Sequence, residues 1–251
     1  MILVLGGTSD SLKVCKLLNE NNKKFILSVA TDYGKEISKE YCSNIVIGKM
    51  NLDDMMSFIS KNNIVSIIDC THPYAEEVSK NAVNVSEKLN IKYLRYERHS
   101  SEILESENIF KVNSIEEACK IANEIGNKVF LATGSKNLEY FVGNLKNKEV
   151  VVRVLPTSSV LKSCEDLGLK PDNVVAMKGP FSYEINKALY SFYNVDLVIT
   201  KESGVEGGFE EKLKASLDLN IKTIVIMRPK VKYPDAVFSI EELKNKIMHS
   251  L

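Results

Sequence analysis

A short run of glycine and hydroxyl residues, Gly6-Gly7-Thr8-Ser9, follows the first apolar stretch of the chain and precedes an amphipathic one. Glycine lets a backbone approach a phosphate closely, and the amino-terminal end of a helix offers N–H groups and positive dipole to an anion. The run lacks the complete G-x-G-x-x-G spacing, since Ser11 stands where a third glycine would fall. The pattern favours a dinucleotide-phosphate site. The alternative is a tight strand-to-helix turn that binds no ligand.

Two charged residues follow the second predicted strand. Asp32 stands where an acidic residue can accept hydrogen bonds from the ribose hydroxyls of NAD, and Lys35 stands where it can meet a 2′-phosphate. A solvated turn explains Asp32 equally well. We therefore expect the ribose near residues 31–35, and the choice between NADH and NADPH stays open.

His72 lies in the segment Asp69-Cys70-Thr71-His72-Pro73-Tyr74, at the end of another apolar run. A histidine in a strand-end loop beside an aspartate can act as an acid or a base near neutral pH. The alternative is a turn histidine that is hydrogen-bonded to the backbone.

Lys201 opens the most glycine-rich loop of the chain, residues 201–208. Successive backbone N–H groups in such a loop can cradle an anion. The loop is not a Walker P-loop, because no G-K-[ST] follows at the required spacing. A purely conformational role is the alternative.

Arginine is rare in this chain, at four of the 33 basic residues. Its guanidinium fork binds carboxylates and phosphates bidentately. We expect each arginine to lie at a strand end and to face a ligand, and the four are Arg95, Arg98, Arg153 and Arg228.

Tyr183 and Lys187 have the Y-x-x-x-K spacing of short-chain dehydrogenases, in which the tyrosine is the acid and the lysine lowers its pKa. The serine that accompanies this pair is missing, and Lys170 stands in its place. We therefore interpret the pair as part of a helix surface.

The elements that must position these loops are short apolar runs that alternate with amphipathic stretches. This succession predicts parallel sheets covered by helices, with ligands beyond the carboxyl ends of the strands. It restarts after the helix that follows Ser114 and ends at Gly126. We predict an α/β fold of two Rossmann-like parallel-sheet domains with a cleft between them. Residues 1–126 would bind the dinucleotide and residues 127–251 would form the second domain.

The composition excludes several other classes of protein. Lysine plus arginine equal aspartate plus glutamate at 33 each, so no net field favours nucleic acid or a membrane surface. No apolar run approaches the roughly 18–20 residues that cross a bilayer. The five cysteines are widely spaced and the three histidines lack ligand spacing, so we expect reduced thiols and no metal site. We expect a cytoplasmic protein without a signal peptide.

Six segments, taken together, resemble the precorrin-6A reductase family, which includes the cobalt-precorrin-6A reductases of anaerobic cobalamin synthesis. They span nearly the whole chain, and the D-x-T-H-P-[YF]-A piece is the most specific. Cys70 stands where the family usually has alanine, a small and conservative departure. The segments lie at residues 5–9, 69–75, 94–98, 178–182, 200–204 and 228–229.

The resemblance implies that NADH or NADPH and a tetrapyrrole, precorrin-6A or cobalt-precorrin-6A, bind between two Rossmann-like domains that can exchange a strand. It also implies hydride transfer to one double bond of the macrocycle, followed by protonation at the adjacent carbon. Because the cofactor carries the hydride chemistry, the protein needs neither a triad nor a metal.

The resemblance and the strand-end loops together give three sets of candidate residues. The cofactor set is Gly6, Gly7, Thr8, Ser9, Asp32 and Lys35. The set that would hold the carboxylates of the tetrapyrrole is Arg95, Arg98, Arg153, Lys178, Ser203, Gly204 and Arg228. The proton donor stays open among Lys201, His72, Tyr74 and a bound water.

Two other functions are compatible with the same loops. A short-chain-type dehydrogenase of a small substrate would need Tyr183 at the ligand-binding edge. A non-catalytic two-domain sensor would close on an anionic ligand without nicotinamide. A change in NADH or NADPH fluorescence on adding the protein would separate the sensor from both enzymes.

Overall fold

A computed structural model describes residues 1–97, 101–103 and 105–249. The chain divides into two compact units, Met1–His99 with Pro229–Leu251, and Ser100–Arg228. Among the residues described, no helix is both long enough and apolar enough to span a membrane.

All of the described strands are short, as the brief apolar runs predict. In chain order they are β1 (Ile2–Leu5), β2 (Phe25–Val29), β3 (Ile45–Ile47), β4 (Ser66–Asp69), β5 (Lys92–Tyr96), β6 (Ile109–Val112), β7 (Lys128–Ala132), β8 (Glu149–Val154), β9 (Val174–Ala176), β10 (Leu197–Lys201), β11 (Lys222–Ile226) and β12 (Ala236–Val237).

Helices connect most of these strands. They are α1 (Ser9–Glu20), α2 (Asp32–Ser38), α3 (Leu52–Lys61), α4 (Glu76–Lys88), α5 (Ile115–Ile125), α6 (Leu138–Asn144), α7 (Ser158–Asp166), α8 (Tyr183–Phe192), α9 (Phe209–Asp218) and α10 (Ile240–His249). Short 3₁₀ turns cover Pro171–Asn173 and Val205–Gly207.

Each unit contains one six-stranded sheet. The strand order is β12-β5-β4-β1-β2-β3 in the first and β6-β11-β10-β7-β8-β9 in the second. Every strand pair in both sheets is parallel. The predicted α/β class with two Rossmann-like parallel sheets is therefore confirmed.

The division of the chain differs from the predicted boundary at residues 126 and 127. Strand β6 pairs with β11, which assigns residues 100–126 to the second unit. Strand β12 pairs with β5, so residues 229–251 return to the first unit. Local periodicity could not reveal this, because β6 and β12 are edge strands whose partners lie far away in sequence.

The core of the first unit explains why its strands are apolar without interruption. Ile2 and Val4 pack with residues of α1 and α10 on one face of the sheet. Leu3 and Leu5 pack with residues of α3 and α4 on the other face. Helices thus cover both faces, as is typical of parallel sheets, and the strand ends are left as the accessible edge.

Candidate functional site

The first unit has its topological switch point between β1 and β4. From β1 the chain builds outward to β2 and β3, then crosses back to β4 on the other side of β1. The loops after β1 and β4 therefore leave the sheet in opposite directions, and a crevice opens at the carboxyl ends of these strands. We call this the β1/β4 crevice, and it lies between residues 6–9 and residues 70–74.

The two glycines of the first loop have different physical reasons to be glycine. A Cβ on Gly6 would lie 2.7 Å from Leu27 Cδ1, so a side chain there would strike the core. Gly7 has a φ of +105°, and a Cβ there would meet no atom within 4 Å. Gly7 therefore leaves open space at the crevice for a ligand, and Gly6 allows the loop to pack against the sheet.

Thr8 connects the two loops of the crevice. Its side chain caps α1 by accepting from the Ser11 N–H at 3.3 Å, and its hydroxyl donates to the Cys70 carbonyl at 2.8 Å. Ser9 is the first residue of α1. The space beside Gly7 and the adjacent helix amino terminus fit the pyrophosphate of a dinucleotide.

Asp32 and Lys35 lie together at the carboxyl end of β2, the strand next to β1. Asp32 begins α2, which Thr31 caps by accepting from the Gly34 N–H at 3.0 Å. Asp32 is exposed and Lys35 is half-buried. Their position beside the β1/β4 crevice is the one from which a residue can reach the ribose of a dinucleotide.

The His72 loop follows β4 and has a fixed local geometry. His72 is exposed, and its Nδ1 accepts a hydrogen bond from the Tyr74 N–H at 3.3 Å. The two rings lie 5.5 Å apart between centroids. Asp69 was expected beside His72, but its carboxylate is fully buried and binds Thr71, Tyr93 and Arg95 instead.

Arg95 is only 1% exposed, and its guanidinium lies 2.8 Å from the Asp69 carboxylate. Burial alone would lower the pKa of Arg95, but Asp69 and the neighbouring acidic groups raise it overall. This geometry gives Arg95 a structural role in place of the substrate contact expected from the sequence. Arg98 lies outside the described residues, so its expected substrate contact stays a prediction.

The second unit has its own switch point, between β7 and β10. We call it the β7/β10 crevice, and it lies between residues 133–136 and residues 201–208. Lys201 is the last residue of β10 and is half-buried. Burial lowers the pKa of Lys201, and the positive charge of Lys136 from the facing loop lowers it further. Two ammonium groups at one strand edge create a site that favours an anion.

A third lysine, Lys212, contacts the Lys201 loop through Ser203. Lys212, on α9, is 7% exposed and donates to Ser203 Oγ at 3.3 Å, and Ser203 in turn donates to the Gly207 carbonyl. Burial lowers the pKa of Lys212 to about 7, and Arg153 contributes in the same direction. Gly204 has a φ of +71°, which turns the backbone into the short 3₁₀ segment that follows.

Arg153 is 6% exposed and donates to Asn186 Oδ1 at 2.8 Å. Its guanidinium carbon lies 4.0 Å from the ring centroid of Phe181. Within the described part of the chain, no carboxylate lies within ion-pair distance of Arg153, and burial lowers its pKa. Arg153 therefore retains a buried, uncompensated charge close to Lys212.

The remaining predicted substrate residues of this unit have different environments. Arg228 is ion-paired with Glu202, which is 1% exposed, and its Nη2 lies 3.1 Å from Glu202 Oε1. This ion pair gives Arg228 a structural contact, and its expected substrate contact stays a prediction. Lys178 follows β9 at the carboxyl edge and is exposed.

The Tyr183 pair is part of a helix–helix contact. Lys187 Nζ donates to the Tyr183 hydroxyl at 2.8 Å, and that hydroxyl donates to Asp218 at the end of α9 at 2.6 Å. The interpretation of this pair as a helix surface agrees with these contacts.

A surface pocket of about 520 Å³ lies at the amino-terminal ends of β1, β2 and β3, at the sheet edge opposite the β1/β4 crevice. Met1, Phe25 and Asn44 line it, together with surface lysines. Ligands of parallel sheets bind at the opposite edge, so we do not place the site there. Among the described residues, no group of three or more His, Cys, Asp or Glu side chains is arranged to hold a metal.

Three residues that support the two crevices, Lys212, Tyr93 and Tyr233, have no role predicted from the sequence. Lys212 could have been found, because it follows Phe209 by three residues and precedes Ser216 by four, on the inward stripe of α9. Tyr233 had no such pattern, since it lies in a stretch without regular secondary structure.

Two parallel doubly wound sheets, each with a crevice at its switch point, define a two-unit Rossmann-like α/β protein. Comparison with known proteins gives the family. The family described as "Precorrin-6x reductase CbiJ/CobK" matches residues 1–248. The chain belongs to this family, which confirms the resemblance found in its motifs.

Individual relatives match over nearly their full length. A cobalt-precorrin-6A reductase from Methanocaldococcus jannaschii is 41% identical over 244 residues, 96% of each chain. One from Salmonella typhimurium is 38% identical over 91% of this chain and 87% of its own. A solved structure of CobK precorrin-6A reductase shares the fold, with a TM-score of 0.82 at 22% identity over 99% of this chain and 97% of that one.

Proposed function

We propose that this protein is a cobalt-precorrin-6A reductase of cobalamin biosynthesis. The observation that carries the proposal is the match to relatives of that name at 41% and 38% identity over almost the whole chain. The reaction is hydride transfer from NADH or NADPH to one double bond of the tetrapyrrole, with protonation at the adjacent carbon. We also propose a cytoplasmic location, which the five unpaired, buried cysteines support.

The β1/β4 crevice is the proposed cofactor site. Gly7 leaves room for the pyrophosphate, Thr8 caps α1 and Ser9 begins it. Asp32 and Lys35 lie where the ribose would bind. When bound there, the nicotinamide cofactor supplies the hydride. The residues of the chain orient the cofactor and exclude water around it.

The β7/β10 crevice is the proposed site for the carboxylates of the substrate. Lys178 is exposed at its edge, and Ser203 and Gly204 lie in the glycine-rich loop beside Lys201. Arg153 has a charge that no carboxylate among the described residues neutralises at ion-pair distance, so a substrate carboxylate would compensate it.

Lys201 is our first choice for the proton donor, ahead of His72, Tyr74 and a bound water. A lysine is a more effective general acid near neutral pH when its pKa is lowered, and both burial and Lys136 lower the pKa of Lys201. Its Nζ would hold the proton until the adjacent carbon of the macrocycle receives it.

The test is an anaerobic assay with cobalt-precorrin-6A and deuterium-labelled NADPH or NADH. We expect oxidation of the cofactor and a reduced tetrapyrrole that carries one deuterium. Metal-free precorrin-6A in parallel decides whether the enzyme needs cobalt in its substrate. Tetrapyrrole binding without oxidation of either cofactor would contradict the proposal and favour the ligand sensor.

A further inference from the structure

A buried polar network lies directly behind the β4 side of the β1/β4 crevice. The Asp69 carboxylate accepts four hydrogen bonds, two from the backbone and hydroxyl of Thr71 and one each from Tyr93 and Arg95, at 2.7–3.0 Å. Asp69 is fully buried and Arg95 is 1% exposed. A desolvated charge pair whose carboxylate accepts four hydrogen bonds in this way holds its partners in one arrangement.

Arg95 also donates hydrogen bonds to the loop that follows β4. Nη1 donates to the Thr71 hydroxyl and Nη2 to the Thr71 carbonyl, each at 3.0 Å. The guanidinium therefore binds both the side chain and the backbone of Thr71. An arginine can do this because its donors form a rigid planar fork.

The aromatic ring of Tyr233, in the C-terminal segment that belongs to the first unit, packs against this network. The Arg95 guanidinium carbon lies 5.1 Å from the ring centroid of Tyr233. The same ring stacks on Tyr93, with 6.3 Å between centroids and 16° between planes. Tyr233 thus contacts two of the three residues that bind Asp69, although it follows them by more than a hundred positions.

A hydrogen bond between the two loops links this network to the glycine loop. The Thr71 backbone is held by Asp69 and Arg95, and the preceding carbonyl, that of Cys70, accepts from the Thr8 hydroxyl at 2.8 Å. Thr8 directly follows Gly7 and caps α1. The position of the glycine loop is thereby tied to that of the β4 loop.

We propose that Arg95 and Tyr233 are positioning residues for the nicotinamide cofactor, an inference that rests on the proposed cofactor site at residues 6–9. Tyr233 holds Arg95 over Asp69, Arg95 fixes Thr71, and Thr8 transmits that constraint to the loop that binds the pyrophosphate. A loop held in its binding conformation loses less conformational freedom when the ligand binds, which strengthens binding.

The test compares Tyr233→Leu, which removes the ring, with Tyr233→Phe, which keeps it and serves as the matched control. The affinity for NADPH and NADH is measured by nicotinamide fluorescence in the absence of substrate, and thermal unfolding confirms that each variant folds. We expect Tyr233→Leu to weaken cofactor binding about fivefold, because a loop that is no longer held must be ordered when the cofactor binds. Tyr233→Phe should stay within about twofold.

A merely structural role predicts a different result. Thr8→Val keeps the shape of the side chain and removes its hydroxyl, and with it the hydrogen bond to Cys70 and the side-chain cap of α1. If the constraint passes through Thr8, the Tyr233→Leu and Thr8→Val effects on affinity are non-additive in the double variant. Additive effects, or a folded Tyr233→Leu protein with wild-type affinity, would overturn the proposal.

Two further variants keep the outcomes distinct. If Tyr233→Leu does not fold, Arg95→Lys is tested in its place. Lysine keeps the positive charge beside Asp69 but cannot make both hydrogen bonds of Arg95 to Thr71. Wild-type cofactor affinity in a folded Arg95→Lys protein then overturns the proposal. If Gly7→Val also leaves affinity unchanged, the proposed cofactor site itself is wrong. If only Gly7→Val weakens binding, the site stands and the positioning role fails.

Discussion

The two crevices have the same topology, but they differ in whether their buried charges are ion-paired. In the β1/β4 crevice the buried charges are paired internally, Asp69 with Arg95 at 2.8 Å. In the β7/β10 crevice, Lys201 faces a second lysine, and Arg153 and Lys212 are buried together without a carboxylate at ion-pair distance in the described chain. The accessible part of the first crevice is mainly backbone and hydroxyl groups, whereas the second contains cations.

This difference explains how one fold can bind two different ligands. A backbone cradle at a helix amino terminus suits the pyrophosphate of a dinucleotide, which needs N–H groups and close approach. A cluster of desolvated cations suits a ligand with many carboxylates, because the ligand removes the electrostatic penalty. The following predictions test this comparison, beginning with the largest expected effect.

Lys201→Met should have the largest effect on turnover. It keeps the length of the stem and removes the ammonium group, so loss of the proton donor should lower kcat about 10²–10⁴-fold and remove the basic limb of the pH–rate profile. Steady-state kinetics with cobalt-precorrin-6A over a range of pH measures both.

A different pattern would reassign Lys201. A raised KM with little change in kcat would indicate a carboxylate contact made equally in the ground and transition states. If both parameters stay within about twofold of wild type, the loop is only a conformational element. Lys136→Met is the matched control, because it removes the facing charge and leaves the donor in place.

Arg228→Met should have the next largest effect, on stability. It removes the guanidinium charge from beside the buried Glu202 carboxylate, which costs about 3 kcal/mol in the free energy of unfolding. Urea denaturation measures this. Cofactor affinity should not change, because the Arg228–Glu202 pair belongs to the second unit. Unchanged stability would show that the pair is not structural, and would revive the substrate contact expected from the sequence.

Lys212 should make stability depend on pH. Its pKa is lowered from 10.5 to about 7, so between these values the unfolded chain binds more protons than the folded chain. Stability should therefore rise with pH through this window, by at most about 1.4 kcal/mol per pH unit. Below pH 7 the penalty for burying the charge is present in full.

Comparing the wild type with Lys212→Met isolates this contribution, because the other titrating groups are common to both proteins. The free energy of unfolding of the wild type should rise relative to that of Lys212→Met as the pH rises from 7 towards 10. Parallel pH profiles for the two proteins would contradict a lowered pKa for Lys212.

The sequence predicted the strands and the glycine loop because both depend on local patterns. Strand β1 is buried on both faces and is therefore apolar throughout, and the Gly6-Gly7 pair follows it directly. The Gly6-Gly7 loop could be recognised without three-dimensional information. What the sequence could not do was separate the roles of the two glycines, because the contact of Gly6 with Leu27 requires β1 and β2 to be neighbours.

The arginines show the limit of sequence reasoning more clearly. Arg95 was expected to face a ligand because it lies near a strand end. Its role depends instead on sheet order, since β4 and β5 are adjacent and place Asp69 opposite Arg95 in register. Arg228 likewise lies just beyond β11, next to β10, and Glu202 directly follows β10. Ion pairs of this kind are set by strand neighbours, which local periodicity does not specify.

The most direct test of the account is the affinity of Gly7→Val for NADPH and NADH, measured by nicotinamide fluorescence. The matched control is Gly168→Val in the second unit, where φ is +75° and a Cβ would also meet no atom within 4 Å. Both variants place a β-branched residue at a positive φ, +105° and +75°, but only Gly7 faces the β1/β4 crevice. We expect Gly7→Val to weaken binding at least about tenfold, or about 1.4 kcal/mol, and Gly168→Val to keep wild-type affinity. A folded Gly7→Val protein that binds both cofactors as tightly as the wild type would contradict the cofactor site in the first unit.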